Sequence, residues 1–200
     1  TRIAIGQLIK QGKISFSDKL IKVLPDYPNL EIASKITVGQ IVTMSSGLGD
    51  FFNERFDTAD KTKIRGLKDY LQFFVDKPLL FEPGTSNSYS NAGYLVLGLI
   101  VEKLSGKDYY EYIRENIFKP LGMSTARLIS EADIVPNRAT GYPRLKNEWK
   151  NIQLRNEWKA NQFVSPGLNI TADGSLLLTV YDMAKWDAAL YTEKLLKKSS

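Results

Sequence analysis

Residues 92–104 read AGYLVLGLIVEKL, and a helix this apolar on nearly every face is stable only inside a core. The pattern predicts about four turns of helix stopped by Gly106, with the rest of the chain packed around it. The approach to that helix is polar. Glu82-Pro83-Gly84-Thr85 reads as a turn, because Pro presets φ and Gly permits φ > 0. A polar, extended segment then leads to Tyr89-Ser90-Asn91. On an extended segment side chains at i and i+2 point the same way, so Tyr89 and Asn91 are expected to face one cleft, where a buried scaffold meets solvent.

Two absences narrow the chemistry available there. Without Cys in the 200 residues, a disulfide framework, a thiol nucleophile and a Cys-ligated zinc are excluded within them. Without His, these residues hold no Ser-His-Asp triad, no His-ligated metal and no base of ordinary pKa near neutrality. Acid–base work must then fall to Lys, Tyr, Asp or Glu with a shifted pKa. Asp18, Asp26 and Asp50 do not form a pair that spacing supports, so neither glycosidase nor metal chemistry is indicated, and no cofactor is expected. The net charge of +5 is spread evenly, +2 in the first hundred residues and +3 in the second. Such an interspersed excess is not a nucleic-acid footprint. No apolar run is long enough to span a membrane, since Gly98 interrupts the central one and Glu102-Lys103 follow it. A hydrophobic fraction of 43% suits a globular domain with a substantial core.

Along the chain, Ile5, Leu8 and Ile9 recur at helical spacing from the outset, so the chain is expected to open inside a helix that stops near Gly12, with residues missing upstream. Ser17-Asp18 is expected to start a short helix through Leu24, ahead of Pro25 and Pro28. Thr37-Val38-Gly39-Gln40 is a capping-box pattern and predicts a helix over 38–44. Residues 67–75 read as an amphipathic helix with Leu67, Tyr70, Leu71 and Phe74 on one stripe. Residues 108–118 read as another, with Tyr109, Tyr112, Ile113 and Ile117 inward. Residues 124–143 look irregular. The near-repeat LKNEWK (145–150) and LRNEWK (154–159) suits two short strands of an exposed hairpin. Thr179-Val180-Tyr181-Asp182 resembles a second capping box and predicts a helix over 180–191 with Met183, Trp186, Ala189 and Leu190 inward. No linker stands out, so residues 1–200 are expected to form a single incomplete domain.

Tyr89-Ser90-Asn91 is the best candidate site. A Tyr beside an ammonium can work as an acid–base catalyst, and an Asn amide can orient both a Lys and a substrate carbonyl. The same residues also suit a Tyr packed at a core edge and an Asn capping the next helix. Ser45-Ser46-Gly47 lacks the G-x-S-x-G pattern of a nucleophile elbow and reads better as a loop ending a helix. No Ser is followed by Lys three positions later, and Lys-Thr-Gly does not occur.

The order of segments nevertheless resembles the serine β-lactamase and penicillin-binding-protein superfamily, in its class C branch of β-lactamases, D-alanyl-D-alanine carboxypeptidases and esterases. Residues 4–13 with Ser17-Asp18 are similar to the helix and turn following that family's catalytic S-x-x-K. Residues 36–48 resemble its T-x-x-x-L-L-T-H-T-S-G-L segment, with Met44 where His is common and Ser45 where Thr is. Phe81-Glu82-Pro83-Gly84 and residues 89–100 resemble its F-x-P-G…Y-S-N-x-x-Y-x-L-L-G signature. Residues 117–123, IFKPLGM, also follow the family. Gly174-Ser175-Leu176 with Thr179 and residues 182–186 resemble its G-G-L-x-S-T-x-x-D-M-A-K-W helix entry.

The resemblance implies an α+β, β-lactamase/DD-peptidase-like fold, of which these residues supply mostly the helical region with a few short strands. It implies a hydrolase in which Ser attacks an amide or ester carbonyl, Lys and Tyr89 move protons, Asn91 is catalytic and substrate-binding, and an acyl-enzyme forms. The Ser and Lys are then expected about half a dozen residues before Thr1, and the K-T-G-like strand beyond Ser200; these residues alone are expected to be inactive. The substrate implied is a β-lactam, a D-Ala-D-Ala peptide or an ester, met outside the cytoplasm. The alternative is a non-catalytic relative that binds cell-wall-like peptides or protein partners.

Overall fold

A computed structural model describes residues 1–129, 133–139 and 170–197. At its centre is the expected apolar helix, α6 (Asn91–Ser105), on which Ala92, Gly93 and all of residues 95–101 are buried. Each large aliphatic side chain so buried contributes about 1.5–3 kcal/mol. Gly106, at φ 69°, ends it in a left-handed cap. Around α6 pack α1 (Arg2–Lys10), α4 (Val38–Val42), a 3-10 helix (Leu67–Phe73) and α7 (Tyr109–Ile113). Beyond α1, the short α2 (Leu20–Val23) and α3 (Leu30–Lys35) pack on each other, and α5 (Glu54–Thr58) lies between α4 and the 3-10 helix in sequence.

Several boundaries differ from expectation for local reasons. Asp18 does not start α2; its carboxylate accepts from the Ser15 N–H and the Lys22 ammonium, and the helix begins at Leu20. The Thr37–Gln40 capping box is formed reciprocally, but α4 stops at Val42, and Met44 has φ 61°. The stretch 67–75 is not an α-helix. Leu67, Tyr70 and Phe73 are buried at every third residue, which is the 3-10 period; of the expected stripe Phe74, at the C-cap, is buried too, while Leu71 is only half-buried. Leu71 was expected on the buried stripe because an α-helix would have placed it there. All four residues expected inward over 108–118 are buried, three in α7 and Ile117 in the turn that follows it (Arg114–Phe118), which widens to a π-helix with the Lys119 N–H on the Arg114 carbonyl at 2.9 Å.

Within 124–143 the chain is not wholly irregular: β1 (Arg127–Leu128) pairs antiparallel with β2 (Leu176–Leu177). This ladder and the helices make the fold α+β and mostly helical, as expected. The near-repeat at 145–159 lies outside the described residues. The last helix, α8 (Val180–Leu190), was expected to turn Met183, Trp186, Ala189 and Leu190 inward. Only Ala189 is buried and Trp186 half-buried; Met183 and Leu190 are 50% and 52% exposed. Its other buried residue is Asp182, so hydrogen bonding rather than an apolar stripe determines how α8 docks.

Gly98 lets the segment before β2 lie directly on α6. A Cβ there would sit 2.4 Å from the Ala172 Cβ and 2.7 Å from the Leu67 Cδ1. Ala172 has no rotamer by which to yield. Gly98→Ala should gain about 1 kcal/mol of helix propensity and lose about 3 kcal/mol to overpacking. The net expectation is a lower denaturant midpoint for the intact protein, read by circular dichroism; an unchanged or raised midpoint would contradict the close contact.

Candidate active site

The loop formed by residues 44–50 carries the approach to α6 almost entirely on main-chain bonds. The N–H groups of Leu80, Gly84 and Ser88 donate to the carbonyls of Gly47, Ser45 and Met44 at 2.8, 2.8 and 3.0 Å. Gly47 can run close beside this segment because it lacks a side chain: its φ is 79°, and a Cβ would lie 2.4 Å from the Phe81 carbonyl oxygen. Ser45-Ser46-Gly47 is thus the loop that ends α4, as expected, and its carbonyls form the ledge for residues 80–88.

Ser90 closes the approach. Its backbone is extended (φ −145°, ψ 106°), and its side chain accepts from the Gly93 N–H, so Ser90 caps α6. The same hydroxyl donates to the Gly49 carbonyl at 2.7 Å. Backbone alternation then sends Ser90 inward, at 3% exposure, and Tyr89 outward, at 70%. Neither half of the structural alternative for this motif is realised: Tyr89 is not packed at a core edge, and the cap is Ser90 rather than Asn91.

Asn91 is half-buried and donates from Nδ2 to Asp50 Oδ2 at 2.7 Å. Tyr89 and Asn91 therefore flank one buried serine, with the amide engaged by Asp50 and not by the phenol. Asp50 is the residue that sequence reasoning missed. Its spacing from Asp18 and Asp26 suggests no carboxylate pair, and no local pattern marks a partner 41 positions away. It stands on a firm base. Phe51 next to it is fully buried, with edge-to-face contacts to Tyr70 at 5.2 Å and Phe56 at 5.4 Å. The Asn53 amide ties the loop to the Phe51 and Phe73 carbonyls at 2.9 and 3.0 Å.

A second carboxyl contributes to the electrostatics. Burial raises the pKa of Asp173 above the ordinary carboxylate value, and the nearby negative charge of Asp50 raises it further, against the lowering effect of the Thr171 hydroxyl. Asp173 lines a cavity of about 270 Å³ together with Tyr94, Tyr109, Met183 and Trp186. The cavity borders the first turn of α6 through Tyr94, three residues from Asn91, while Tyr89 and Asn91 are not among its lining residues. Among the described residues no cluster of carboxylates could hold a metal ion, and no helix is long and apolar enough to cross a membrane.

Known proteins share this arrangement of segments. The family model described as Beta-lactamase matches residues 1–200. Penicillin-binding protein 4* of Bacillus subtilis (strain 168) is 28% identical over 205 residues, covering 100% of this chain and 44% of that protein. The crystal structure of a penicillin binding protein from Bacillus halodurans superposes with a TM-score of 0.81 at 32% identity, over 98% of this chain and 57% of that one. A D-amino acid amidase from Ochrobactrum anthropi SV3 gives 0.74 at 25% identity, over 98% and 55%. The chain spans about half the length of these relatives.

Proposed function

The chain belongs to the beta-lactamase family, and from that premise we propose that it is part of a serine hydrolase of the class C type, cleaving an amide or ester through an acyl-enzyme. Tyr89 serves in acid–base chemistry and Asn91 orients the reacting groups. The observation that carries the proposal is the presentation of Tyr89: an exposed phenol on a short extended segment, fixed by a buried helix cap behind it and by a loop of main-chain bonds beneath it. A side chain kept in the open by so much fixed backbone is available for chemistry and is placed by the fold.

In the proposed reaction a serine hydroxyl adds to the substrate carbonyl carbon and its proton passes to the base formed by a lysine and Tyr89. The bond to the leaving nitrogen or oxygen breaks as that atom takes the proton. Water then adds to the new ester; the serine oxygen leaves and is reprotonated, and the free acid departs. The chemistry requires an S-x-x-K pair that these 200 residues do not contain, so it is proposed for the intact protein. Relatives named as a penicillin-binding protein and a D-amino acid amidase favour a β-lactam, a D-Ala-terminated peptide or a D-amino acid amide as substrate.

Incubating the intact protein with a fluorescent penicillin tests this. The expected result is a covalent label that survives denaturation and is blocked by prior unlabelled penicillin. Hydrolysis of D-amino acid amides or of a chromogenic ester would assign the substrate class. No acyl adduct by mass spectrometry with any of the three would overturn the proposal in favour of a non-catalytic binding protein.

A further inference from the structure

A carboxylate can only accept hydrogen bonds, whereas an amide has a donating end and an accepting end. This difference gives the contact between Asp50 and Asn91 a direction. With the two side chains 2.7 Å apart, the amide end facing Asp50 must be Nδ2; the reverse arrangement would press oxygen against oxygen. Asp50 itself has little freedom to turn. Its other oxygen, Oδ1, accepts from the Phe52 N–H at 3.0 Å. The preceding carbonyl, of Gly49, holds the Ser90 hydroxyl, and Phe51 is buried immediately after it. Asn91 Oδ1, at the opposite end of the amide, receives no hydrogen bond from the described residues.

We propose that Asp50 is a positioning residue that fixes the polarity of the Asn91 amide, so that Oδ1 and the second hydrogen on Nδ2 each meet the reacting groups in one orientation only. This rests on the assignment of Asn91 to the site. Asp50 acts through Asn91 and touches no reacting atom. Its carboxylate replaces a choice between two amide orientations by one, before any ligand arrives. That lowers the cost of organising the site.

Asp50→Asn tests the proposal with little change of shape, because an amide at position 50 satisfies either orientation of Asn91. In the intact protein, kcat should fall roughly 10- to 100-fold, with KM changing much less. The loss should vanish in an Asn91→Ala background, since a residue acting through another contributes nothing once that other is gone. Losses that multiply in the double variant, or a change confined to KM, would overturn it. If Asp50→Asn fails to fold, Asp50→Ser keeps a small polar group in the loop and should show the same kcat loss.

A second measurement does not depend on turnover. In heteronuclear NMR the Asn91 side-chain NH2 of the unmodified protein should exchange slowly with solvent, and Asp50→Asn should shift its resonances and speed its exchange. Unchanged resonances would overturn the positioning role even in an active hydrolase. A shifted resonance in a protein that never acylates would uphold the amide orientation and defeat the proposed function instead.

Discussion

Replacing Tyr89 by Phe in the intact protein is expected to slow acylation by roughly 10²- to 10⁴-fold, the range that a positioned acid–base group contributes, while leaving the fold untouched. The two halves of this expectation have separate causes. The phenol is 70% exposed and its hydroxyl bonds to none of the described residues. Its removal therefore leaves no buried group unpaired, and stability should stay within about 0.5 kcal/mol. Rate and stability are measured independently, by stopped-flow acylation with a chromogenic substrate and by thermal melting. A variant that melts normally and acylates at the original rate would remove Tyr89 from the chemistry. A variant that melts early would show instead that the phenol is structural.

Asp182→Ala should have the largest effect on stability, about 3 kcal/mol or more. Although 1% exposed, this carboxylate is fully engaged. It accepts from the Thr125 N–H at 2.7 Å, the Thr125 hydroxyl at 2.5 Å, the Ala126 N–H at 3.0 Å and the Lys185 ammonium at 2.8 Å. The start of α8 is thereby tied to the chain entering β1. Alanine would leave the Thr125 N–H without an acceptor, the Ala126 N–H with only its 3.3 Å bond to the Met123 carbonyl, and Lys185 with only the Gly122 carbonyl.

The pH dependence follows from the same contacts. Burial alone would raise this carboxyl, but the Lys185 ammonium and the Thr125 hydroxyl and N–H outweigh burial and lower it to about 2. A folded pKa below the unfolded value means stability that is fully present above about pH 4 and lost as pH falls from 4 toward 2. The amount is about 2 kcal/mol for a depression of this size, and less to the extent that solvent screens the half-exposed Lys185. Guanidinium titrations across that interval should show the loss in the unmodified protein and a flatter profile in Asp182→Asn. Parallel profiles would refute the assignment.

Residues 179–182 also mark a boundary of what local sequence can reveal. The pattern of Thr179 and Asp182 predicts a helix start, and Thr179 does accept from the Asp182 N–H at 3.4 Å. The reciprocal half is different: Asp182 turns to Thr125, whose hydroxyl takes the Thr179 N–H at 3.2 Å. A capping box and a tether across 57 positions read identically in sequence. Asp50 and Asn91 pose the same difficulty, whereas α6 poses none, because unbroken apolarity and a stop glycine are local signals. The 3-10 helix lies between these cases. Leu67 and Tyr70 fit both periods, and only Phe73 together with the half-buried Leu71 tells three residues per turn from 3.6. The polar approach to α6 through residues 89–91 was legible because its immediate neighbours are distinctive; the hydrogen bond from Asn91 to Asp50 was not.

The three main-chain bonds from residues 80, 84 and 88 to the loop ending α4 bear on how such a site can diverge. Those at residues 80 and 88 would survive any side-chain replacement except proline, which removes the N–H, whereas Gly84, at φ 90°, holds its place only as glycine. Variation at Leu80 or Ser88 is therefore free to reshape the surface around Tyr89 without moving its backbone. A scaffold of this kind separates inheritance of the backbone geometry from inheritance of the surface it carries, and neighbouring side chains can change by drift while the tyrosine stays where it was.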